Sequence, residues 1–99
     1  MSDARLTLFE AISTKRTVEA LYNGTTIRIA PHLMFERHGD LFVSALNLGK
    51  TWRSDEAPRL GQFKLAGLND TALLDETFEP VEGFKPAPPR ADDVLILAV

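Results

Sequence analysis

Asn23-Gly24 is the dipeptide that most constrains what this chain can fold into. It stands between two β-rich runs, residues 17–22 and 25–32. Asn and Gly both tolerate positive φ, so the pair suits a two-residue type I′ turn whose twist matches that of the flanking strands. Such a loop sets Tyr22 opposite Thr25, Ala20 opposite Ile27 and Val18 opposite Ile29. Because side chains alternate along a strand, Val18, Ala20, Tyr22, Ile27 and Ile29 then share one face. Glu19 meets Arg28 on the other face, beside Leu21 and Thr26. A slip of one residue would scramble both faces. Turn chemistry, apolar face and charge pairing all specify the same antiparallel hairpin.

The rest of the chain supplies further short elements. Leu8, Phe9, Ala11 and Ile12 are spaced by threes and fours, which predicts an N-terminal helix with one apolar stripe. Ser2 or Asp3 is one cap for it, and Thr7-Leu8-Phe9-Glu10 also fits a capping box. Lys15 and Arg16 suit the negative end of its dipole. Pro31 has no N–H to donate and predicts a break in pairing, with the strand resuming at Leu33. His38-Gly39, flanked by Arg37 and Asp40, is a second two-residue turn. Residues 41–47 follow as a strand apolar on both faces, as a covered sheet requires. Two more strands are expected over residues 62–66 and 72–78.

One helix and five short strands joined by tight turns predict a mainly β fold, a small five-stranded barrel, with a two-layer α+β sheet as the alternative. Residues 1–82 would form this domain. Residues 83–99 would form a proline-rich extended tail, since four of the six prolines lie at 80, 86, 88 and 89. The tail ends in the apolar run Val94-Leu95-Ile96-Leu97-Ala98-Val99. That run is an extra strand of the same sheet, an edge shared with a second copy in a homodimer, or a docking strand for a separate regulator protein. Exposed and unpaired, it would invite aggregation.

Ninety-nine residues make one small domain with a modest core. No run approaches the roughly 18 apolar residues of a membrane span, and the first six residues lack a signal-peptide core. A cytoplasmic protein without membrane contact is expected. The absence of cysteine excludes a disulfide framework and a thiolate nucleophile. The net charge of −3 is uneven. Residues 1–68 hold nine basic and seven acidic side chains, and residues 69–99 hold two and seven. The whole chain is therefore no basic nucleic-acid binder, but its first two-thirds can carry a local anion site.

The longest irregular stretch, residues 47–61, is of a length that is usually functional or disordered. It contains the sole tryptophan, Trp52, with Lys50, Arg53 and Arg59. An aromatic ring among cations can stack a base while the cations hold phosphates; it can also plug a barrel mouth. Arg28 is an anion ligand or the cross-strand partner of Glu19. His32 is a donor to an anion or a partly buried group with one backbone partner. Tyr22 is a core ring with its hydroxyl at the rim or a ligand contact. Lys64 points away from the core. Asp92-Asp93 and Asp75-Glu76 are expected to be solvated surface pairs. No spacing marks a catalytic triad, a zinc site or a phosphate loop. The chain is expected to be non-catalytic, without metal or cofactor.

In this order the segments resemble the WYL domain family of bacterial regulators, over about residues 8–86. Ala11-Ile12 with Lys15-Arg16 looks like its opening helix and basic pair. Val18, Tyr22 and Gly24 match its first hairpin, and Arg28-Ile29-Ala30-Pro31-His32-Leu33 looks like its "R-x-x-P-x-x-L" segment. Gly39-Asp40-Leu41-Phe42-Val43 stands where the family has Trp-Tyr-Leu. Phe63-Lys64-Leu65-Ala66-Gly67-Leu68 looks like its "F-R-L-x-R-I", and Phe78-Glu79-Pro80 like its closing "F-x-P". Pro31-His32-Leu33, residues 61–65 and Gly83-Phe84-Lys85-Pro86 are more similar to short, stand-alone WYL-like proteins. The namesake triplet is replaced here by Leu41-Phe42-Val43, and the later Arg by Gly67.

The resemblance implies an Sm-like or SH3-like barrel and a regulatory role. That role is to sense a nucleotide or single-stranded nucleic acid and to act on a transcription or defence regulator. The basic candidates for the site are Arg28, His32, Lys50, Arg53, Arg59 and Lys64, with Tyr22 and Trp52 as the aromatic ones. The alternative is an SH3-like interaction or dimerisation module with no small ligand. On either reading, the site is expected where Pro31-His32 meets the loop holding Trp52.

Overall fold

The computed structural model describes residues 4–49 and 59–99. Helix α1 spans Ala4–Thr14. The strands are β1 (Arg16–Tyr22), β2 (Thr25–Arg37), β3 (Asp40–Asn47), β4 (Gly61–Lys64), β5 (Asn69–Thr77) and β6 (Val94–Ala98), with a 3₁₀ turn at Leu65–Gly67. All six strands belong to one antiparallel sheet in the order β4-β3-β2-β1-β5, with β6 also on β2. The fold is mainly β with an N-terminal helix, as expected. No described helix is long and apolar enough to cross a membrane.

The first hairpin has the register its turn dictates: Tyr22 opposite Thr25, Ala20 opposite Ile27, Val18 opposite Ile29 and Glu19 opposite Arg28. Asn23 and Gly24 both take positive φ, 51° and 76°, as a type I′ turn requires. His38 and Gly39 do the same, and Arg37 pairs with Asp40. Val18, Ala20 and Ile29 are buried in the core with Leu8, Ala11 and Ile12 of α1. Phe9 departs from the expected helix stripe and is half exposed. Leu8, Ala11 and Ile12 already define the buried line, and Phe9 lies about 100° around the helix from Leu8.

The pairing is interrupted at Pro31, as expected, but β2 itself continues through it. It runs for 13 residues and changes neighbours along its length. β1 flanks Thr25 to Ile29, and β6 flanks Leu33 to Glu36. Pro31 falls at the hand-over between them, and its ladder with β3 is irregular between Pro31 and Leu33. A residue without an N–H is tolerated in a long strand at such an interruption. The terminal apolar run is thus an extra strand of the same sheet, the first of its three readings.

Two boundaries differ from the sequence reading. β4 ends at Lys64, because Leu65 turns into the 3₁₀ helix and buries its side chain. β5 starts at Asn69 and carries an irregularity against β1, with Asp70 at φ 50°. Between β5 and β6 the chain passes through short turns closed by Phe84 N–H to Val81 O, Ala87 N–H to Lys85 O and Asp93 N–H to Arg90 O.

Candidate functional site

The outward face of the first hairpin forms one wall of an open depression of about 440 Å³. Glu19, Thr25, Thr26, Ile27 and Arg28 line it, with Asn47 and Gly49 from the end of β3. Strand alternation explains the wall: the same register that buries Val18, Ala20 and Ile29 turns Glu19, Thr26 and Arg28 outward. The chain is tied to this wall as it leaves β3. Leu48 N–H donates to Arg28 O at 2.8 Å, and Gly49 N–H to Asn47 Oδ1 at 2.9 Å. Asn47 and Gly49 are thereby held at the edge of the depression. Arg28 lies beside both Glu19 and Glu76; its Nε is 4.0 Å from Glu76 Oε1, and both side chains are exposed. A pair so hydrated is weak, so an incoming anion can take the guanidinium at little cost.

Lys50, Trp52 and Arg53 lie outside the described residues. Arg59, where the description resumes, is exposed. Lys64 is not part of the Arg28 wall. Its Nζ is 3.4 Å from Asp40 Oδ2, and it lines a second depression with Gly39, Asp40 and Leu41. Asp40 opens β3 and Asn47 closes it, so the two depressions are separated by roughly 20 Å of strand. Tyr22 packs its ring edge-on against Phe63, with centroids 5.2 Å apart and planes at 78°. It lies close under Gly67, where an added Cβ would come within 3.2 Å of its ring. It does not line the Arg28 depression.

His32 occupies a different environment again. It is fully buried. Its Nδ1 is 2.7 Å from Ala30 O, and its Nε2 is 3.0 Å from the N of Val81. A carbonyl only accepts and an amide only donates, so the ring is neutral with its proton on Nδ1. Burial lowers its pKa, against a smaller raising effect of the Ala30 carbonyl. The ring sits between Phe78 and Phe84, at 5.0 and 5.2 Å. With both nitrogens engaged, His32 fastens the segment after β5 to the middle of β2. It leaves no donor for an anion. The expected meeting of Pro31-His32 with the loop holding Trp52 falls on residues outside those described.

A second fastening was not foreseen. Arg37 grips Asp93 bidentately, Nε to Oδ1 and a terminal nitrogen to Oδ2, both at 2.8 Å. The Asp93 side chain has no exposed surface, and Arg90 N–H donates to its Oδ2 at 3.0 Å. These bonds, led by that from Arg37, hold the carboxylate pKa below its ordinary value. The Arg37 guanidinium lies over the Phe35 and Phe42 rings, 5.1 and 5.2 Å from their centroids, and those rings stack at 9°. Asp93 is therefore not a solvated surface carboxylate. The available signal was Arg37 following an aromatic strand and one acid standing directly before an apolar run; nothing local joins the two.

No family model and no curated protein matches the chain. Among solved structures it is similar to Proteasome accessory factor B/C (PafBC) of Arthrobacter aurescens, with a TM-score of 0.68 and 17% identity. The match covers 83% of this chain and 13% of that one. At this identity the likeness shows the fold, and it is consistent with the WYL-like fold expected from the sequence.

Proposed function

We propose that this chain is a non-catalytic, WYL-like sensing module that binds a nucleotide or single-stranded nucleic acid at the Arg28 depression. Its response would be passed to a separate transcription or defence regulator. One observation carries the reading. The exposed Arg28 shares its wall with Thr25, Thr26 and Asn47, and in the sequence Lys50, Trp52 and Arg53 follow closely on Gly49 of the same wall. Cations beside an aromatic ring suit a phosphate and its base. The fold likeness to PafBC is in keeping with the WYL-like fold from which the regulatory part is inferred. Lys64 and His32 are left out of the site, the first by distance along β3 and the second by burial.

The test is a titration with mononucleotides and short single-stranded DNA, followed by Trp52 fluorescence at low and physiological salt. Binding should weaken as salt rises, with a slope of about −0.7 for each phosphate held on a single strand. Arg28→Ala and Arg59→Ala should each weaken it several-fold and flatten that slope. Absence of binding to every nucleotide and oligonucleotide at low salt overturns the reading.

A further inference from the structure

The opposite end of the sheet carries an apolar face that the ligand reading does not use. Leu6 and Phe9 project from the outer side of α1 and are 70% and 50% exposed. Ile96 of β6 is 43% exposed and lines one groove with both of them and with Arg5, over Met34 and Leu41. The volume of this groove is about 280 Å³. The ladder explains why Ile96 is there. Leu97 pairs with Met34 and Leu95 with Phe35, so Ile96 is the extra residue of a bulge. Val94, 55% exposed, pairs with Glu36, which alternation puts on the side of Met34. Among the described residues, β6 has a strand on one side only.

We propose that this face, Leu6 and Phe9 of α1 with Val94 and Ile96 of β6, is the contact through which two copies of the chain form a weak two-fold dimer. Two arguments favour a second copy over a foreign partner. A two-fold axis sets residues near it against themselves, so a charge there would meet its like. The run from Val94 to Val99 contains no charged side chain, so an axis passing through β6, and not beside Arg5 on the far side of the groove, sets apolar side chains against themselves. The area is also of the right order. The four exposures correspond to roughly 400 Å² per copy, within the size of patch that is often functional. Two copies bury about 800 Å² through these side chains, below the roughly 1,200 Å² at which stable specific interfaces begin, which is the range of a weak, transient contact. That sum implies a dimer that forms in the micromolar range and is absent at high dilution. The apolar terminus is already a strand of its own sheet, so the contact needs no exchange of β6 between copies.

The proposal does not depend on any ligand and is tested without one. Sedimentation velocity on the full chain, from about 1 to 500 μM, should show a reversible shift from monomer to dimer. Leu6→Lys, on an exposed helix surface, should raise the dissociation constant at least about tenfold with an unchanged melting curve. Ile96→Lys, which brings like charges together at the axis, should do the same. If Ile96→Lys does not fold, Leu6→Lys alone decides. A wild-type chain that stays monomeric at every concentration overturns the proposal. So does a dimer unaffected by Leu6→Lys.

Discussion

The two halves of β2 are built by opposite means. From Thr25 to Ile29 the strand is paired with β1, its neighbour across a two-residue turn. From Leu33 to Glu36 the same edge is covered by β6, some 60 residues later in the chain. The first half needs no polar device beyond its turn. The second is secured by two specific ones, His32 to Val81 and Arg37 to Asp93, which span 49 and 56 residues. A local pairing carries little loop-closure entropy, whereas a distant one must offset the ordering of everything between. The polar fastenings sit where that cost falls. The outward face of the first half is consequently left open for a ligand, while the second half is closed over by the chain's own terminus.

Several substitutions put this contrast at risk. The largest effect is expected from Arg37→Ala, which leaves the Asp93 carboxylate buried without its bidentate partner. Amides of Leu95 and Leu97 should lose hydrogen-exchange protection while those of Ala20 and Ile27 keep theirs. Equal loss in both halves would mean that the strand unfolds as one unit. His32→Ala removes a buried ring and orphans the Val81 N–H, and should cost about 2–4 kcal/mol in chemical denaturation.

The same residue sets a pH dependence. His32 is neutral when folded, with its pKa lowered from 6.5, so the unfolded chain binds the extra proton. Stability should be at its full value above about pH 6.5 and fall as pH drops from there towards the folded pKa, by at most about 1.4 kcal/mol per unit. In His32→Leu this slope should vanish. A slope that persists would assign the effect to another group. The Asp93 contribution lies lower, lost as pH falls from 3.8 through its lowered folded value.

Gly24→Ala forces a Cβ into positive φ, with open space around it, and should cost about 1 kcal/mol, felt in the first half of β2. The smallest change is expected from Arg28→Ala, within about 0.5 kcal/mol, because its pair with Glu76 is exposed on both sides. A large loss there would mean that Arg28 holds the fold and is not available to a ligand.

The same contrast governs what could be read before the fold was known. Asn23-Gly24 and His38-Gly39 dictate their own φ and hence the register around them, so both hairpins were legible residue by residue. Arg28 and its outward direction followed from that register. The apolar stripe of α1 was legible except at Phe9, whose exposure depends on what packs beside the helix. His32 and Asp93 were not legible in their true surroundings. A lone His and an acid in a charged pair look solvated until a distant segment covers them. The break in pairing at Pro31 was legible by local rules, and only the change of neighbours along β2 shows why the strand nevertheless continues. Of the site, Arg28 is placed in a depression and Tyr22, His32 and Lys64 are placed elsewhere, while Lys50, Trp52 and Arg53 lie outside the described residues.

The most direct test of the account is an amide NMR titration of the full chain with a short single-stranded oligonucleotide at low salt. The expected result is a set of shifts at Glu19, Thr25 to Arg28, Asn47 to Arg53 and Arg59, with His32, Val81 and β6 unmoved. Shifts centred on His32, Val81 and Phe84, or none at all, would contradict it.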